Sequence, residues 1–334
     1  MPLYPIKLSI VIPTFNREDL IGQTLQSVAD QTSKPFEVIV VDNASTDNTS
    51  TIVKRYQKYG IRYHRNSHNL GMVGNYNKCI ELATGDYVSF LHSDDLISPL
   101  WHETFIKNIK KHPADLYNCS SCVIDAKNII SYVFHTFPKN TFVPKSKTLT
   151  MLLKHDCPLI APIGATVFSK TMIHKCTPFE PSLVTEADAL VSMKAISQSN
   201  FYYIHKVLFG HRFHSMQTFD LTKHKKTDDD KLNRLKNYLN LVKSYSTTIS
   251  DSHLRRLFIT THVFMSLCSV NLYLAKLQFY TVIKSNRIAL KIFPDLYFQS
   301  PNLRQFIRIQ TKMFLRAMFR SRKNQSFLPH LETA

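Results

Sequence analysis

Short apolar runs that end at polar residues alternate with helical periodicity along the first part of the chain. Residues 8–13 and 36–42 are such runs, and both are typical of buried parallel strands. Between them, apolar residues recur at the spacing of one helix face, at Leu20, Ile21, Leu25 and Val28. A strand, a helix and a strand in this order form a βαβ unit. The sequence therefore predicts an α/β fold around a mostly parallel sheet.

The same alternation continues beyond this first unit. It predicts a helix over 44–58, a strand over 61–64, a helix over 76–82 and a strand over 87–91. Ser45 or Thr46 is the expected N-cap of the first of these helices, because a hydroxyl can accept from a free N–H of the first turn. The prediction is a doubly wound sheet flanked by helices over residues 1–125. Shorter strands and helices then extend the same domain to residue 218.

Three loops follow strands of this sheet, at residues 13–17, 42–47 and 92–95. Ligands of doubly wound sheets bind beyond the carboxyl ends of the strands, so we expect these loops to meet at one site. Asp94 and Asp95 are adjacent carboxylates, which repel each other unless a cation or hydrogen-bond donors compensate. A divalent ion such as Mg²⁺ or Mn²⁺ is one partner. The alternative is that one of them caps a helix over 101–110.

The positive charge of the chain is unevenly distributed. The formal net charge is +18, of which residues 1–204 contribute +3 and residues 205–334 contribute +15. A basic surface can face anionic lipid or nucleic acid. We expect no nucleic-acid partner, because the first part is nearly neutral and contains no recognised nucleic-acid module. The apolar content of 44% excludes a disordered or collagen-like chain.

The last third of the chain has long helical periodicity, which predicts a basic helical region over 219–334. Residues 257–275 lack Lys, Arg, Asp and Glu and could span a membrane, but their polar residues favour a core helix. Residues 303–323 carry a cation at every fourth position from Arg304 to Arg320. This basic amphipathic pattern fits an anionic membrane surface. A solvated helix face is the alternative.

The cysteines and the first residues bear on the compartment. Six cysteines are few for 334 residues, and Met1 is not followed by a signal-peptide pattern. We therefore expect a cytoplasmic protein, peripheral on the membrane face. Cys119 and Cys122 have the spacing of half a zinc site, but no second pair follows, and buried strand cysteines are the favoured interpretation.

Five motifs in the N-terminal part together resemble a known family. They read SIVIPTFNR at 9–17, EVIVVDNASTD at 37–47, NLG at 69–71, GNYN at 74–77 and GDYVSFLHSDD at 85–95. This stretch is similar to the nucleotide-sugar-binding domain of family 2 glycosyltransferases, which have the GT-A fold. The resemblance implies a catalytic domain over 1–218, with a nucleotide-sugar half at 1–125 and an acceptor half at 126–218.

The resemblance also assigns residues to the donor. It implies nucleobase and ribose contacts for the loop after the first strand, with Pro13, Thr14, Phe15, Asn16 and Arg17, and for the carboxylate Asp42. A buried carboxylate can accept from an imide N–H or a ribose hydroxyl; a solvated cap is the alternative for Asp42. Asn69, Gly71 and Asn77 would lie near the ribose, diphosphate or sugar. A simple turn before a helix is the alternative for Asn69 and Gly71.

The chain departs from the family pattern at two positions. The metal motif of the family usually reads Asp-x-Asp, whereas here it reads His92-Ser93-Asp94, followed by Asp95. The resemblance implies that Asp94 keeps the metal position, that Asp95 and His214 contribute to it, and that His92 and Ser93 face the nucleotide. Family members also often have a basic residue just before the Asn at 77, where this chain has Tyr76.

The resemblance places the catalytic carboxylate ahead of the amphipathic run 189–195. An inverting transfer needs a base for the proton of the attacking hydroxyl. Asp188 is the expected base and Glu186 the competitor; the alternative is that both only favour a helix N-terminus. Arg212-Phe-His214 resembles the Arg-x-His of the family, which would offset diphosphate charge or bind the metal.

The implied function is glycosyl transfer. A nucleotide-diphospho-sugar, expected to be UDP-linked, would donate its sugar to a hydroxyl of a glycan or lipid-linked acceptor, with assistance from Mg²⁺ or Mn²⁺ and with inversion. A non-catalytic nucleotide-sugar-binding or scaffold protein at the membrane surface is the alternative.

Overall fold

The computed structural model describes residues 5–148, 163–179 and 187–212, together with seven single positions further along the chain. The chain divides into two compact units. One comprises residues 1–151, 157–215 and 322–334, and the other comprises 152–156 and 216–321. The elements described below lie in the first unit.

The N-terminal part of the first unit alternates strands and helices as the sequence pattern predicts. Its elements are β1 (Leu8–Thr14), α1 (Ile21–Ala29), β2 (Glu37–Asp42), α2 (Thr49–Tyr56), a 3₁₀ turn (Gln57–Tyr59), β3 (Ile61–Arg65), α3 (Gly71–Leu82) and β4 (Tyr87–Phe90). β1 pairs in parallel with both β2 and β4, and β2 pairs in parallel with β3. Thr14 stands opposite Asp42 in this register, so β1 and β2 end at the same edge of the sheet.

Antiparallel strands extend the sheet on the side of β4. The further elements are β5 (Leu96–Ile97), α4 (Trp101–Lys111), β6 (Leu116–Ile124), β7 (Ile129–Phe134), β8 (Thr141–Val143), a 3₁₀ turn (Ile163–Ala165), β9 (Thr166–Ser169), α5 (Lys170–Cys176), α6 (Ala187–Gln198), β10 (Phe201–Arg212) and β11 (Gln325–Ser326). The strand order is β11-β7-β6-β9-β4-β1-β2-β3, and β10 pairs with β5, β6 and β8. The predicted mixed α/β class is confirmed.

The core lies between the sheet and its helices. Every residue of β2 is buried, as expected of a central parallel strand. The apolar face of α1 buries Ile21, Leu25 and Val28, and α4 buries Trp101 and Phe105. Each fully buried side chain of this size stabilises the fold by about 1.5–3 kcal/mol. This packing fixes the strand ends from which the site loops leave.

The predicted N-cap at Ser45 or Thr46 is wrong. α2 begins only at Thr49, and Ala44 turns the backbone with a φ of 63°. The Ser45 hydroxyl instead accepts the N–H of Asn16 in the loop after β1. The alternative helix cap at Asp94 or Asp95 is also wrong, because β5 lies between these residues and α4.

The two closely spaced cysteines are buried strand residues, as the favoured interpretation predicts. Cys119 and Cys122 lie on β6, with their Sγ atoms 3.6 Å and 3.7 Å from the carbonyl oxygens of Ala165 and Phe209. Burial raises the pKa of both thiols. Buried thiols of this kind are structural and unreactive.

The expectations for the C-terminal part fall outside the described residues. This holds for the segments 257–275 and 303–323, and for nearly all of the predicted basic helical region. Within the described part of the chain, none of the helices combines the length and the apolar character needed to cross a membrane.

Candidate active site

Hydrogen bonds join the first two predicted loops at the edge of the sheet. The N–H of Asn43 donates to the carbonyl of Thr14 at 2.9 Å, and the Asn16 side chain accepts from the N–H of Thr46 at 2.8 Å. Asn16 has a φ of 49°, a conformation that Asn tolerates better than most residues. These bonds hold the loops after β1 and β2 together, as the sheet topology predicts.

Asp42 lies at the centre of this junction and is fully buried. Its carboxylate accepts from the N–H of Ser45 at 2.8 Å and from the hydroxyl of Tyr63, and Arg65 Nε lies 3.8 Å away. Burial and the hydrogen bond to Asp42 raise the pKa of Tyr63, so the phenol keeps its proton and donates. The alternative of a solvated cap at Asp42 is therefore wrong.

The other residues predicted in the loop after β1 differ in exposure. Thr14 is buried, and its hydroxyl has no hydrogen-bond partner among the described residues. Pro13 is half-buried, whereas the Phe15 ring is 39% exposed. This loop thus presents a polar atom and an aromatic surface beside Asp42. Contacts of these residues with a nucleotide stay predictions.

A cluster of possible metal ligands follows β4. His92, Asp94 and Asp95 each offer one ligand atom, and these atoms lie within 4.8 Å of one another. Two carboxylates in such a set suit Mg²⁺ or Mn²⁺. Arg17 Nε lies 3.7 Å from the carboxylate of Asp94, and both side chains are largely buried. Ser93 is buried between these ligands.

Asp95 connects this cluster to the end of β10. The fully buried carboxylate accepts from the N–H of Arg212 at 2.8 Å, and the Nδ1 atoms of His211 and His92 lie 3.2 Å and 3.3 Å from it. Burial disfavours the charged form of Asp95, but the charge and hydrogen bonds of His211 and His92 outweigh it and hold its pKa well below the usual range. Asp95 is therefore ionised at neutral pH.

The charges of the carboxylates act on the two histidines in return. Burial lowers the pKa of His92, but the hydrogen bond and charge of Asp95, with the charges of Asp94 and Asp188, raise it to about 9. His211 follows the same pattern, since Asp95 raises its pKa against the effect of burial. His211 was missed by the sequence analysis, which selected Arg212 and His214. Only the pairing of β10 with β5 brings His211 to the cluster.

Arg212 lies beneath this loop and is fully buried. Its guanidinium donates to the carbonyl oxygens of Asp94 at 2.8 Å and Asp125 at 3.0 Å, and to the side chain of Gln23 at 3.1 Å. These bonds fix the backbone that carries Asp94 and Asp95. The predicted contact with a diphosphate stays a prediction, and the observed bonds are to the protein.

The residues predicted near the donor sugar, Asn69, Gly71 and Asn77, also form their hydrogen bonds within the protein. The Asn69 side chain accepts from the amide of Asn43 at 2.7 Å and from the N–H of Gly71 at 2.8 Å, and Gly71 has a φ of 73°. Asn69 and Gly71 therefore form a turn before α3, which was the alternative interpretation of these two residues. The Asn77 amide pairs with the backbone N–H and carbonyl of Phe179, at 2.8 Å and 3.2 Å. Donor contacts of all three residues stay predictions.

The predicted base, Asp188, lies in the first turn of α6 and is half-buried. Its charge raises the pKa of both His92 and Tyr76, so it stands within electrostatic reach of the cluster. Glu186 and His214 lie outside the described residues.

A comparison with protein families decides the class of this chain. The sequence pattern of glycosyl transferase family 2 matches residues 9–169, which include β1 to β4, Asp42 and the His92–Asp95 cluster. The chain contains a family 2 glycosyltransferase domain. The site at the edge of the sheet lies within this matched region.

This glycosyltransferase is similar to several known proteins. An uncharacterized glycosyltransferase of Rickettsia typhi is 26% identical over 270 residues, which is 79% of each chain. The GalNAc(5)-diNAcBac-PP-undecaprenol β-1,3-glucosyltransferase of Campylobacter jejuni is 32% identical over 131 residues, 38% of this chain and 42% of the relative.

A solved structure shows the same fold. The crystal structure of Staphylococcus aureus TarS 1–349 in complex with UDP-GlcNAc superposes with a TM-score of 0.68 at 18% identity. The match covers 86% of this chain and 81% of that one. The GT-A fold expected from the motifs is therefore confirmed.

Proposed function

We propose that this glycosyltransferase moves a sugar from a UDP-linked donor to a hydroxyl of a glycan or lipid-linked acceptor, with inversion. The observation that carries the proposal is that buried Asp42 and the His92–Asp95 cluster both lie at the carboxyl ends of the parallel strands β1, β2 and β4. The Campylobacter jejuni relative, which is named for an undecaprenol-linked acceptor, and the UDP-GlcNAc complex of TarS support it.

Asp42 is suited to recognise the nucleoside. Its carboxylate is held by the N–H of Ser45 and by the hydroxyl of Tyr63, so its direction is fixed before a ligand arrives. A fixed, buried acceptor can discriminate between bases, because a base that lacks the matching N–H loses a hydrogen bond that water does not replace in a buried site. The unpartnered hydroxyl of Thr14 and the exposed ring of Phe15 lie on the adjoining loop.

The cluster after β4 fits a divalent ion. Asp94 would hold Mg²⁺ or Mn²⁺, with Asp95 and His214 as further predicted ligands. When bound, the ion would neutralise charge that develops on the leaving diphosphate. Arg17 supplies a second positive charge beside Asp94, where it can orient the diphosphate. The buried guanidinium of Arg212 donates to the carbonyl of Asp94 and so holds the backbone of Asp94 in place.

Asp188 would act as the base. A carboxylate at this position accepts the proton of the acceptor hydroxyl as the oxygen attacks the anomeric carbon opposite the diphosphate. The charge of Asp188 contributes to the raised pKa of His92, which supports a position of Asp188 near the donor site. Glu186 is the competing residue for this role.

Thermal unfolding with a panel of nucleotide sugars tests the donor proposal. With Mn²⁺ present, a UDP-sugar at 100 times its Kd should stabilise the protein by about 2.7 kcal/mol, whereas GDP-sugars should not. Asp94→Asn should remove the dependence of this shift on Mn²⁺, and Lys54→Ala, an exposed change on α2, should leave it intact. A protein that responds only to another nucleotide would contradict the UDP assignment.

We also propose that the enzyme is cytoplasmic and binds the anionic membrane face through the basic residues 303–323. Vesicles that contain anionic lipid should retain the full chain at low salt and release it at high salt. Equal retention on neutral vesicles would contradict this proposal.

A further inference from the structure

The two positions at which the chain departs from the family pattern contact each other. The hydroxyl of Tyr76 lies 2.6 Å from Nε2 of His92, although the residues belong to α3 and to the loop after β4. A basic side chain and a carboxylate at this separation would form an ion pair. Here a hydrogen bond stands at the same place.

The surroundings of Tyr76 fix its ring. It is buried, stacks on Phe179 with ring centroids 5.2 Å apart, and meets the edge of Phe90 at 5.5 Å. Packing on two sides leaves the hydroxyl a single direction, which is toward His92. The neighbouring residue Asn77 binds the backbone of Phe179, so α3 holds this aromatic platform by both a side chain and a ring.

The second nitrogen of the His92 ring is also held. Its Nδ1 lies 3.3 Å from the carboxylate of Asp95, so both ring nitrogens have protein partners. A histidine in this state must break a hydrogen bond before it can bind an ion. The chain of contacts runs from Tyr76 through His92 to Asp95, which is the residue beside Asp94.

We propose that Tyr76 and His92 are a matched pair and that both are positioning residues. Tyr76 orients His92, His92 orients Asp95, and the loop presents Asp94 to the ion without a carboxylate at position 92. His92 is thus a support for the metal site rather than a ligand. This inference rests on the proposed function for its consequence in catalysis, but the pairing itself is a property of the folded chain.

Exchanging the pair for a basic and an acidic side chain tests the proposal. The variants are Tyr76→Arg, His92→Asp and the double exchange. Tyr76→Arg alone places a guanidinium against the imidazole of His92, and His92→Asp alone brings three carboxylates together. Like charges then lie side by side in each single variant, so each should lower turnover of the UDP-sugar at least about tenfold. The double variant should recover to within about threefold of the wild type. Tyr132→Phe, an exposed change on β7, is the control.

Two readouts separate this proposal from the proposed function. The midpoint of thermal unfolding, measured without ligand, should be lower in each single variant and recover in the double. The affinity for Mn²⁺ alone should fall in Tyr76→Arg, which adds a positive charge, rise in His92→Asp, which adds a carboxylate, and return toward the wild-type value in the double. If the wild type transfers no sugar but these readouts recover, the pairing stands and the function is wrong. If the double variant equals the sum of the single effects, the pairing is wrong. Should the charged variants not fold, the cycle of Tyr76→Phe, His92→Asn and their combination must show the same non-additivity in unfolding free energy.

Discussion

The carboxylate of Asp95 accepts the backbone N–H of Arg212 at 2.8 Å, although the two residues are 117 positions apart in the sequence. This bond joins the loop that carries the candidate metal ligands to the end of β10. The guanidinium of the same arginine donates to the carbonyl of Asp94 at 2.8 Å. The geometry of the active site therefore depends on a strand from the distant part of the fold.

Arg212→Ala should destabilise the protein by about 3 kcal/mol, because it leaves buried carbonyl oxygens of Asp94 and Asp125 without their donor. Denaturant unfolding of the variant measures the change. Arg212→Lys retains the charge but cannot reach all three acceptors, so it should recover only part of the loss. A loss below about 0.5 kcal/mol would show that the buried guanidinium is not a structural support.

Arg17→Ala should weaken donor binding and leave Mn²⁺ binding unchanged or tighter. Arg17 Nε lies 3.7 Å from Asp94, so the guanidinium competes with an ion for this carboxylate in the free protein. We expect the Kd of the UDP-sugar to rise about tenfold, which corresponds to about 1.4 kcal/mol. Calorimetric titration with each ligand separates the two effects, and Lys54→Ala is the surface control. Weaker Mn²⁺ binding in the Arg17 variant would contradict this account.

The sequence predicted the parts of the site that depend on local pattern. Asp42 ends the apolar strand β2 and Asp94 lies in the loop after β4, so their place at the sheet edge was predictable from strand order alone. His211 was not, because its approach to Asp95 depends on the pairing of β10 with β5, which local periodicity does not encode. Ser45 failed as an N-cap because a hydroxyl can accept from either a helix or a neighbouring loop.

Glu37→Gln should destabilise the protein at neutral pH and much less in acid. The Glu37 carboxylate accepts from Ser9, Thr84 and Arg62 at 2.6–2.9 Å. Burial raises its pKa, but these hydrogen bonds and the Arg62 charge outweigh burial and lower it below the ordinary 4.5. A lowered pKa in the folded state stabilises the fold above the pKa of the unfolded chain, and this contribution disappears as the pH falls through the folded value.

The difference in unfolding free energy between wild type and Glu37→Gln should therefore be about 1–3 kcal/mol at pH 7 and shrink steadily below pH 4.5. Urea unfolding at a series of pH values measures it, with Glu81→Gln as the exposed control. A difference that stays constant down to pH 3 would mean that folding does not lower the pKa of Glu37.

The most direct test of the central claim is the turnover of Asp188→Ala beside its donor binding. If Asp188 is the base, transfer of sugar from the UDP-donor should fall by about 10²–10⁴-fold, while the thermal stabilisation by UDP-sugar and Mn²⁺ stays at the wild-type level. Ser192→Ala, on the same helix, is the matched control. Normal turnover of the Asp188 variant would contradict the account.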